Sequence, residues 1–316
     1  SMTVDDRRQS RRIFLLTFAV AFLLMALGAL LTVFLLQPEQ PVQEEAPAPG
    51  YHYLPREEDA ITILLVIDDP ATRPTFLLAG FYPEGGRIPL AALPGETLVN
   101  WDGRNTTLQE VWSTHGIEKA RASLAGSYGL WIARWGEMTL EGFQTAFNAV
   151  GTVDYRLASP LQYRGEAVSI ALPRGLIQVD GARAADLIRF PAYENGESQR
   201  CRMTTDLLST FVNRHLTLAI TPRFEEAFRT VVNQMRTDVT FSDFVQRTEA
   251  AAFLARLGIN PAYGVEITGW YNEGGNTWNL DEESRLALRQ AFPSPQKAQE
   301  EQAKVQAAAS REAQTG

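Results

Sequence analysis

The hydrophobic positions in the central part of the chain switch repeatedly between strand-like and helix-like spacing. Residues 61–67 form a continuous run of β-branched and aliphatic side chains, which is typical of a strand buried on both faces. Residues 76–82 and 87–93 flank Pro83-Glu84-Gly85-Gly86 and predict a hairpin. Further strands are predicted over residues 130–134, 152–157, 167–172 and 265–268.

Capping signals mark the beginnings of several predicted helices. Thr107-Leu108-Gln109-Glu110 has the sequence of a capping box and opens a helix that ends before Gly116. Asp180 is expected to cap a helix that runs through Arg189. The other predicted helices cover residues 117–127, 139–150, 202–215, 222–234, 242–257 and a short segment from Asp281. Because strands and helices alternate, we predict an α/β fold: a single domain with a mixed central β-sheet flanked by helices.

An apolar run near the N-terminus predicts one transmembrane helix over residues 13–36. The run contains no charged residue, and at ~1.5 Å per residue such a helix is about 36 Å long, enough to cross a ~30 Å hydrocarbon core. Arginines precede the run and glutamates follow it, so the positive-inside rule predicts a cytoplasmic N-terminus. A cleaved signal peptide is the other interpretation, but Gln37-Pro38-Glu39 lacks a small-residue cleavage site.

The chain is thereby divided into five predicted segments. Residues 1–12 are expected in the cytoplasm, residues 37–50 form a Pro-rich linker, and residues 51–293 form one extracytoplasmic domain. Residues 294–316 have almost no large apolar side chain and predict a disordered tail. The predicted location is the plasma membrane, with a single pass and the main domain outside.

Composition excludes several classes of function. A net charge of −8 gives no indication of a nucleic-acid partner. The single cysteine, Cys201, cannot form an internal disulfide or supply a two-cysteine zinc site. The sequence also lacks phosphate-binding glycine loops and the His-Glu-x-x-His signature. Asp68 and Asp69 follow the buried strand, where they could hold a divalent cation or form an ordinary turn before Pro70.

An ordered set of short motifs resembles one protein family. The opening strand Ile63-Leu64-Leu65-Val66-Ile67-Asp68 is similar to a strand that ends in Gly-x-Asp, and Arg73-Pro74-Thr75 is similar to Arg-Ser-Asp. Leu93-Pro94-Gly95-Glu96-Thr97 resembles the family motif Ile-Pro-Arg-Asp-Thr, and the segment from Leu140 through Val153 resembles a stretch that runs from Gly-Phe to Leu-Gly-Gly-Val. The segment from Val179 through Arg189 resembles a helix that begins with Leu-Asp-Gly and ends in Arg-x-Arg. Cys201-Arg202-Met203 resembles Glu-Arg-Gln. With the apolar N-terminal run, the set resembles the LytR-CpsA-Psr family of membrane-anchored bacterial envelope proteins.

The resemblance implies a phosphotransferase that moves a glycopolymer from a polyprenyl pyrophosphate lipid to peptidoglycan. It implies catalytic roles for the matching residues Asp68, Arg73, Arg189 and Arg202, which would converge at the mouth of an apolar groove. Asp68 would also bind a metal ion, with Mg²⁺ as the expected cofactor. Phe143, Phe147 and Trp131 are candidate walls of the groove. The implied partners are the lipid-linked glycopolymer, peptidoglycan and the membrane.

Several positions depart from the family pattern, which leaves two main interpretations beside a third, a structural envelope domain with no small-molecule site. Gly95, Thr75, Pro191 and Gln199 stand where the family has charged residues. The chain is then either an active transferase that recruits neighbours such as Arg104, Arg174 or Arg200, or a catalytically degenerate member. A degenerate member would bind a lipid-linked cell-wall precursor or a partner protein without chemistry, since losing even one charge-stabilising donor typically costs ~10²–10³ in rate.

Overall fold

The computed structural model describes residues 53–296 and the single positions 300, 303, 304 and 307. The predicted cytoplasmic segment 1–12, transmembrane helix 13–36 and linker 37–50 lie outside the described residues, as does most of the predicted tail. Among the helices in the described part, none is both long enough and apolar enough to cross a bilayer.

A mixed β-sheet of six strands forms the centre of the domain, in the order β11-β6-β1-β2-β3-β12. Strand β1 pairs with β6 in parallel and with β2 in antiparallel orientation. The strands are β1 (Ile61–Asp68), β2 (Thr75–Phe81), β3 (Ile88–Leu93), β6 (Arg134–Thr139), β11 (Met235–Thr237) and β12 (Ala262–Gly264). The predicted mixed α/β architecture is confirmed, and so are the first strand and the hairpin after it.

Four two-stranded ribbons surround this sheet. They pair β4 (Leu98–Trp101) with β5 (Arg104–Thr107), β7 (Val153–Leu157) with β10 (Gly175–Val179), β8 (Leu161–Arg164) with β9 (Ser169–Leu172), and β13 (Gly269–Tyr271) with β14 (Trp278–Leu280). All eight strands are only three to five residues long. The strands predicted over residues 152–157 and 167–172 contain β7 and β9, whereas the other six are too short to be recognised from a periodic pattern.

The helices begin close to their predicted caps. Thr107, Thr139, Asp180, Thr240 and Asp281 each accept a hydrogen bond from a backbone N–H in the first turn of a helix. The helices are α1 (Leu108–His115), α2 (Ile117–Tyr128), α3 (Leu140–Val150), α4 (Gly181–Arg189), α5 (Gly196–His215), α6 (Phe224–Val232), α7 (Phe241–Arg256) and α8 (Glu282–Ala291).

The helices cover both faces of the sheet and create two hydrophobic cores. Side chains alternate along β1, so Ile63, Leu65 and Ile67 enter one core, whereas Leu64 and Val66 enter the other. The first core lies under α3, α4, α5, α6 and α7, and the second lies under α1, α2 and α8. We call these the α5 side and the α1 side of the sheet.

Three predicted elements are shifted or absent. Leu130 and Ile132 are buried on the α1 side without pairing in the sheet, and the strand begins only at Arg134. Residues 265–268 continue from β12 without forming a strand of their own. Helix α5 begins at Gly196, six residues before the predicted start. The sequence does not predict its first turn because that turn is polar and shows no apolar periodicity.

The three candidate walls of the apolar groove do not lie together. Phe143 and Phe147 are fully buried on the α5 side, where Phe147 stacks on Phe211 with ring centroids 3.8 Å apart. Trp131 packs against the core on the α1 side. The prediction that one groove is lined by all three is therefore wrong, because the sheet separates them.

Candidate functional site

Asp69 and Arg189 form the first part of a charged cluster at the carboxyl end of β1. Arg189 donates from Nε and Nη2 to the two carboxylate oxygens of Asp69, both at 2.8 Å. The loop after β1 adds hydrogen bonds to Asp69 from the Thr72 hydroxyl and the Ala71 N–H. Arg189 is in this position because the helix capped by Asp180 ends there. A bidentate pair of this kind fixes both side chains and occupies both oxygens of the carboxylate.

Asp68 lies on the other side of the sheet. It continues the row of Leu64 and Val66, which faces the α1 side, whereas Asp69 reaches the α5 side and Arg189. The Asp68 side chain forms no hydrogen bond or ion pair within residues 53–296. Partial burial, followed by the nearby carboxylates of Glu137 and Asp69, raises the pKa of Asp68 above its usual range.

Arg200 is the buried cation of the cluster, with 2% of the residue exposed. Its Nη1 donates to Thr75 Oγ1 at 2.8 Å and to the carbonyl oxygen of Ile188 at 2.9 Å. Its Nη2 donates to the carbonyl oxygen of Pro74 at 3.2 Å. Arg200 therefore ties the first turn of α5 to the end of α4 and the start of β2.

Glu197 joins Arg200 to Arg73. The Glu197 carboxylate accepts from Arg200 Nε at 2.6 Å and from Nη2 at 3.0 Å, and it lies 3.1 Å from Arg73 Nη1. Glu96 is a second carboxylate near Arg73, at 3.7 Å from the same nitrogen. Burial opposes the charge of Arg200, but the Glu197 hydrogen bonds raise its pKa above the ordinary value. In this structure Arg73 and Arg200 already have carboxylate partners.

Arg202 does not join this cluster. Successive residues of a helix are ~100° apart, so Arg202 lies about 200° around α5 from Arg200. Arg202 is exposed and borders a small crevice with Glu266 and Ile267. Of the four residues expected to converge, Arg73 and Arg189 lie in the cluster, whereas Asp68 and Arg202 lie outside it. The catalytic roles implied for the four residues stay a prediction.

The structure indicates which neighbouring residues take those places. Asp69, the residue after Asp68, lies in the cluster through its pair with Arg189. Arg200, two positions before Arg202, lies in the cluster through its bonds to Glu197 and Thr75. Of the three arginines suggested as substitutes, Arg200 is in the cluster, whereas Arg104 and Arg174 are exposed elsewhere. The sequence does not predict that Glu197 belongs to the cluster, because a glutamate in a polar helical turn cannot be distinguished by sequence from a solvent-exposed one.

Two further side chains border the cluster. Burial raises the pKa of the Cys201 thiol to about 12, so the thiol is protonated at neutral pH and is a poor nucleophile. Burial, together with Glu96 and Glu197, raises the pKa of Tyr271 to about 12. The β13–β14 ribbon that carries Tyr271 is therefore close to the two glutamates.

The cluster does not fit the expected magnesium site. Both oxygens of Asp69 accept hydrogen bonds from Arg189, and Asp68 faces the opposite side of the sheet. The described residues contain no group of three or more His, Cys, Asp or Glu that could hold a metal ion. A Mg²⁺ ion that bridges Asp68 to a phosphate on Arg189 is incompatible with this arrangement. Use of Mg²⁺ by the protein stays a prediction.

Comparisons with known proteins agree with the fold and with the motifs. A model of the LytR_cpsA_psr family matches residues 42–291. A curated relative from Enterococcus faecalis, the polyisoprenyl-teichoic acid–peptidoglycan teichoic acid transferase TagU, is 22% identical over 220 residues, which cover 68% of this chain and 70% of TagU.

Solved structures share the fold at low sequence identity. A protein from Eubacterium siraeum described as a transcription regulator superposes with a TM-score of 0.67 at 14% identity, covering 80% of this chain and 98% of the other. TagV from B. subtilis superposes with a TM-score of 0.57 at 15% identity, covering 73% of this chain and 96% of TagV. TagT bound to LI-WTA superposes with a TM-score of 0.56 at 13% identity, covering 74% and 91%.

Proposed function

Because this chain belongs to the LytR_cpsA_psr family, we propose that it is a cell-envelope protein that binds a lipid-linked glycopolymer without transferring it to peptidoglycan. The substrate class comes from relatives such as TagU, which is named a teichoic acid transferase acting between a polyisoprenyl lipid and peptidoglycan. In a transfer of this kind, an acceptor hydroxyl attacks a phosphorus of the diphosphate and polyprenyl phosphate leaves. Free cationic donors must stabilise the negative charge that develops.

The position of Glu197 carries the proposal. Its carboxylate occupies the space between Arg73 and Arg200, where an anionic ligand would need to bind. Asp69 occupies the donors of Arg189 in the same way. Three arginines, Arg73, Arg189 and Arg200, thus face the three carboxylates of Asp69, Glu96 and Glu197. The cluster has no excess positive charge with which to bind a diphosphate.

Gly95 supplies a second argument. A Cβ atom on Gly95 would lie 2.5 Å from Oε1 and 3.2 Å from Cβ of Gln109. The Gln109 side chain therefore fills the space into which an arginine at position 95 would extend. An arginine at position 95 would require the flexible Gln109 side chain to turn away from this space.

An active transferase is the second candidate, and the exposure of Arg73 favours it. The Arg73 side chain is 44% exposed, so a lipid diphosphate could compete with Glu197 for its guanidinium. In that case Glu197 would act as a displaceable carboxylate that leaves when substrate binds. The two candidates differ in whether wild-type protein turns over.

The proposal places the folded domain outside a bacterial plasma membrane. Its support is the uncharged run of residues 13–36, with arginines before it and glutamates after it. An N-terminal anchor would hold the domain near the lipid-linked polymer in the same membrane. Peptidoglycan lies on that side of the membrane as well.

A single-turnover transfer assay tests the proposed function. Full-length protein in detergent is incubated with a radiolabelled polyprenyl-diphosphate-linked glycan, a peptidoglycan acceptor and Mg²⁺, and TagU from E. faecalis serves as the active control. We expect TagU to release polyprenyl phosphate and this protein to release none. Release at a rate comparable with that of TagU would establish the active-transferase candidate instead.

A further inference from the structure

A second cleft lies at the carboxyl ends of β1 and β6 beside the edge strand β11, and its lining includes none of the residues of the arginine cluster. It is open, has a volume of about 450 Å³, and is bordered by the ends of β1 and β6, by α1 and by the segment before β11. That volume falls within the ~300–1,000 Å³ range of small-molecule sites. Asp68 belongs to this cleft, which explains why it is absent from the cluster around Arg189.

The wall of the cleft combines an indole with a fixed carboxylate. Trp112 Nε1 donates to Glu137 Oε2 at 3.1 Å, and Arg236 donates to the other oxygen of Glu137. Trp112 is held by an edge-to-face contact with Phe76, with ring centroids 5.8 Å apart. These contacts fix the orientation of the Trp112 ring, which is half-buried at the cleft.

The rim of the cleft carries polar groups that are free to bind a ligand. The side chains of Asp68, Asn233 and Gln234 form no hydrogen bond with any other residue of the described chain. A carboxylate accepts hydrogen bonds, and the two amides both donate and accept them. With Trp112, the cleft thus presents an apolar ring beside several neutral and acidic hydrogen-bonding groups.

We propose that this cleft binds a neutral saccharide. Its charged residues are Asp68, Glu137 and Arg236, so an excess of negative charge disfavours phosphates and other anions. Sugars match the rest of the cleft, because their C–H faces pack on aromatic rings while their hydroxyls bond carboxylates and amides. The inference rests on the proposed function. If the arginine cluster does not hold the diphosphate of the lipid-linked glycopolymer, the protein must recognise the glycan part at another site.

Binding of free disaccharides tests the cleft without involving the arginine cluster. Full-length protein in a zwitterionic detergent, which has no sugar headgroup, is titrated calorimetrically with diacetylchitobiose. A second titration uses the N-acetylglucosamine–N-acetylmuramic acid disaccharide, which carries a carboxylate and represents peptidoglycan. We expect saturable binding of diacetylchitobiose, and weaker binding of the acidic disaccharide because of the charge of the cleft.

Variants locate the binding site. Asn233→Ala with Gln234→Ala changes only rim side chains that have no internal partner, so folding is preserved, and we expect at least a tenfold loss of affinity. Trp112→Ala should abolish binding. Trp270→Ala is the control, since Trp270 is 57% exposed on β13 outside the cleft, and its affinity should equal that of wild type.

Three results would overturn the inference: no saturable binding of diacetylchitobiose, binding unaffected by the rim variants, or tighter binding of the acidic disaccharide. These failures are distinguishable from failure of the proposed function, because neither disaccharide contains a diphosphate. A wild-type protein that transfers polymer would overturn the proposed function and leave the saccharide result unchanged.

Discussion

The Glu197 carboxylate lies 3.1 Å from Arg73 Nη1 and 2.6 Å from Arg200 Nε, so a single acidic side chain contacts two of the three arginines in the cluster, and Glu96 supplies the second negative charge beside Arg73. The remaining arginine, Arg189, is paired with Asp69. An anion that enters the cluster must therefore compete with carboxylates of the protein itself. This internal competition is the physical basis for proposing that the cluster binds a diphosphate weakly and does not catalyse transfer.

Asp69 and Asp68 should differ sharply in their effect on stability. Asp69→Asn leaves Arg189, whose side chain is only 18% exposed, without its charge partner, and we expect a loss of about 2–4 kcal/mol in the free energy of unfolding. Asp68→Asn removes a carboxylate that is repelled by Glu137 and Asp69, so stability should stay within about 0.5 kcal/mol of wild type or rise. Urea denaturation measures both. A larger loss for Asp68→Asn than for Asp69→Asn would contradict the assignment.

Gly181→Ala should destabilise the protein through a backbone clash. A Cβ atom at this position would lie 2.3 Å from the Gln144 carbonyl oxygen and 2.9 Å from its Cα, and helix α3 cannot move away without disturbing the core. We expect a loss of about 1–3 kcal/mol, measured by thermal or urea unfolding.

Gly126→Ala is the matched control for that substitution. Gly126 lies inside helix α2, and a Cβ atom there would meet no other atom within 4 Å. Alanine should therefore raise stability by about 0.5–1 kcal/mol through its higher helix propensity. Equal effects of the two substitutions would show that α3 and α4 do not pack as closely as described.

His215 should make stability depend on pH. Burial lowers the pKa of His215 to about 4, whereas an unfolded histidine titrates near 6.5. Between these values the unfolded state binds a proton that the folded state does not, so this contribution to stability is complete above about pH 6.5 and is lost as the pH falls towards 4. At ~1.4 kcal/mol per pKa unit, the loss on reaching pH 4 is about 3 kcal/mol.

The pH effect is measured as the difference between wild type and His215→Gln from pH 7 to pH 4. Glutamine can still donate to the Thr152 carbonyl oxygen, which accepts from His215 Nε2 at 2.9 Å in the neutral ring. His115→Gln is the control, because His115 is exposed on α1. If wild type and His215→Gln lose stability in parallel, His215 does not contribute to the acid sensitivity.

The membrane topology is a separate prediction. The run of residues 13–36 should cross the membrane once, with Arg7, Arg8, Arg11 and Arg12 in the cytoplasm. Protease added to intact spheroplasts should then remove the folded domain and spare a short N-terminal fragment. Protection of the folded domain until the membrane is lysed would contradict this topology.

The central sheet could be predicted because its apolar runs are long and uninterrupted, as in β1. The charged cluster was harder to predict because a shift of one or two positions in the sequence moves a side chain to a different side of the sheet or of a helix. Asp68 and Asp69 are adjacent, but alternation along the strand sends them to opposite sides of the sheet. Arg202 is two positions after Arg200, which places the two on different faces of one helix.

The strand β6 shows a related limit of sequence analysis. Its sequence, Arg-Trp-Gly-Glu-Met-Thr, mixes charged and apolar residues because one face contacts the core and the other borders the open cleft. The preceding apolar segment, residues 130–133, gives a stronger strand signal, and Leu130 and Ile132 are buried there without pairing in the sheet. Pairing with β1 begins at its end, where the Ala133 N–H donates to the Thr62 carbonyl oxygen at 2.9 Å. A hydrophobic pattern reports burial, and it identifies a strand only when the buried residues also lie next to a partner strand.

Diphosphate binding tests the central claim most directly. Farnesyl diphosphate, a soluble probe of a polyprenyl diphosphate, is titrated into full-length wild type, Glu197→Gln and Glu194→Gln. Removing a negative charge ~5 Å from the bound phosphate is worth about 1–3 kcal/mol at an effective dielectric constant of ~20, after allowance for solvent screening. Glu194 lies exposed three residues earlier and forms no ion pair with the residues that the structure describes, so its variant controls for net charge.

We predict that wild type and Glu194→Gln bind farnesyl diphosphate weakly and equally, and that Glu197→Gln binds it at least tenfold more tightly. Glu96→Gln removes the more distant carboxylate, at 3.7 Å from Arg73, and should give a smaller gain in affinity for farnesyl diphosphate. This variant leaves the contacts of the buried Arg200 side chain unchanged. Tight binding by wild type that Glu197→Gln leaves unchanged would contradict the account, because it would show that the arginines are already free to bind diphosphate.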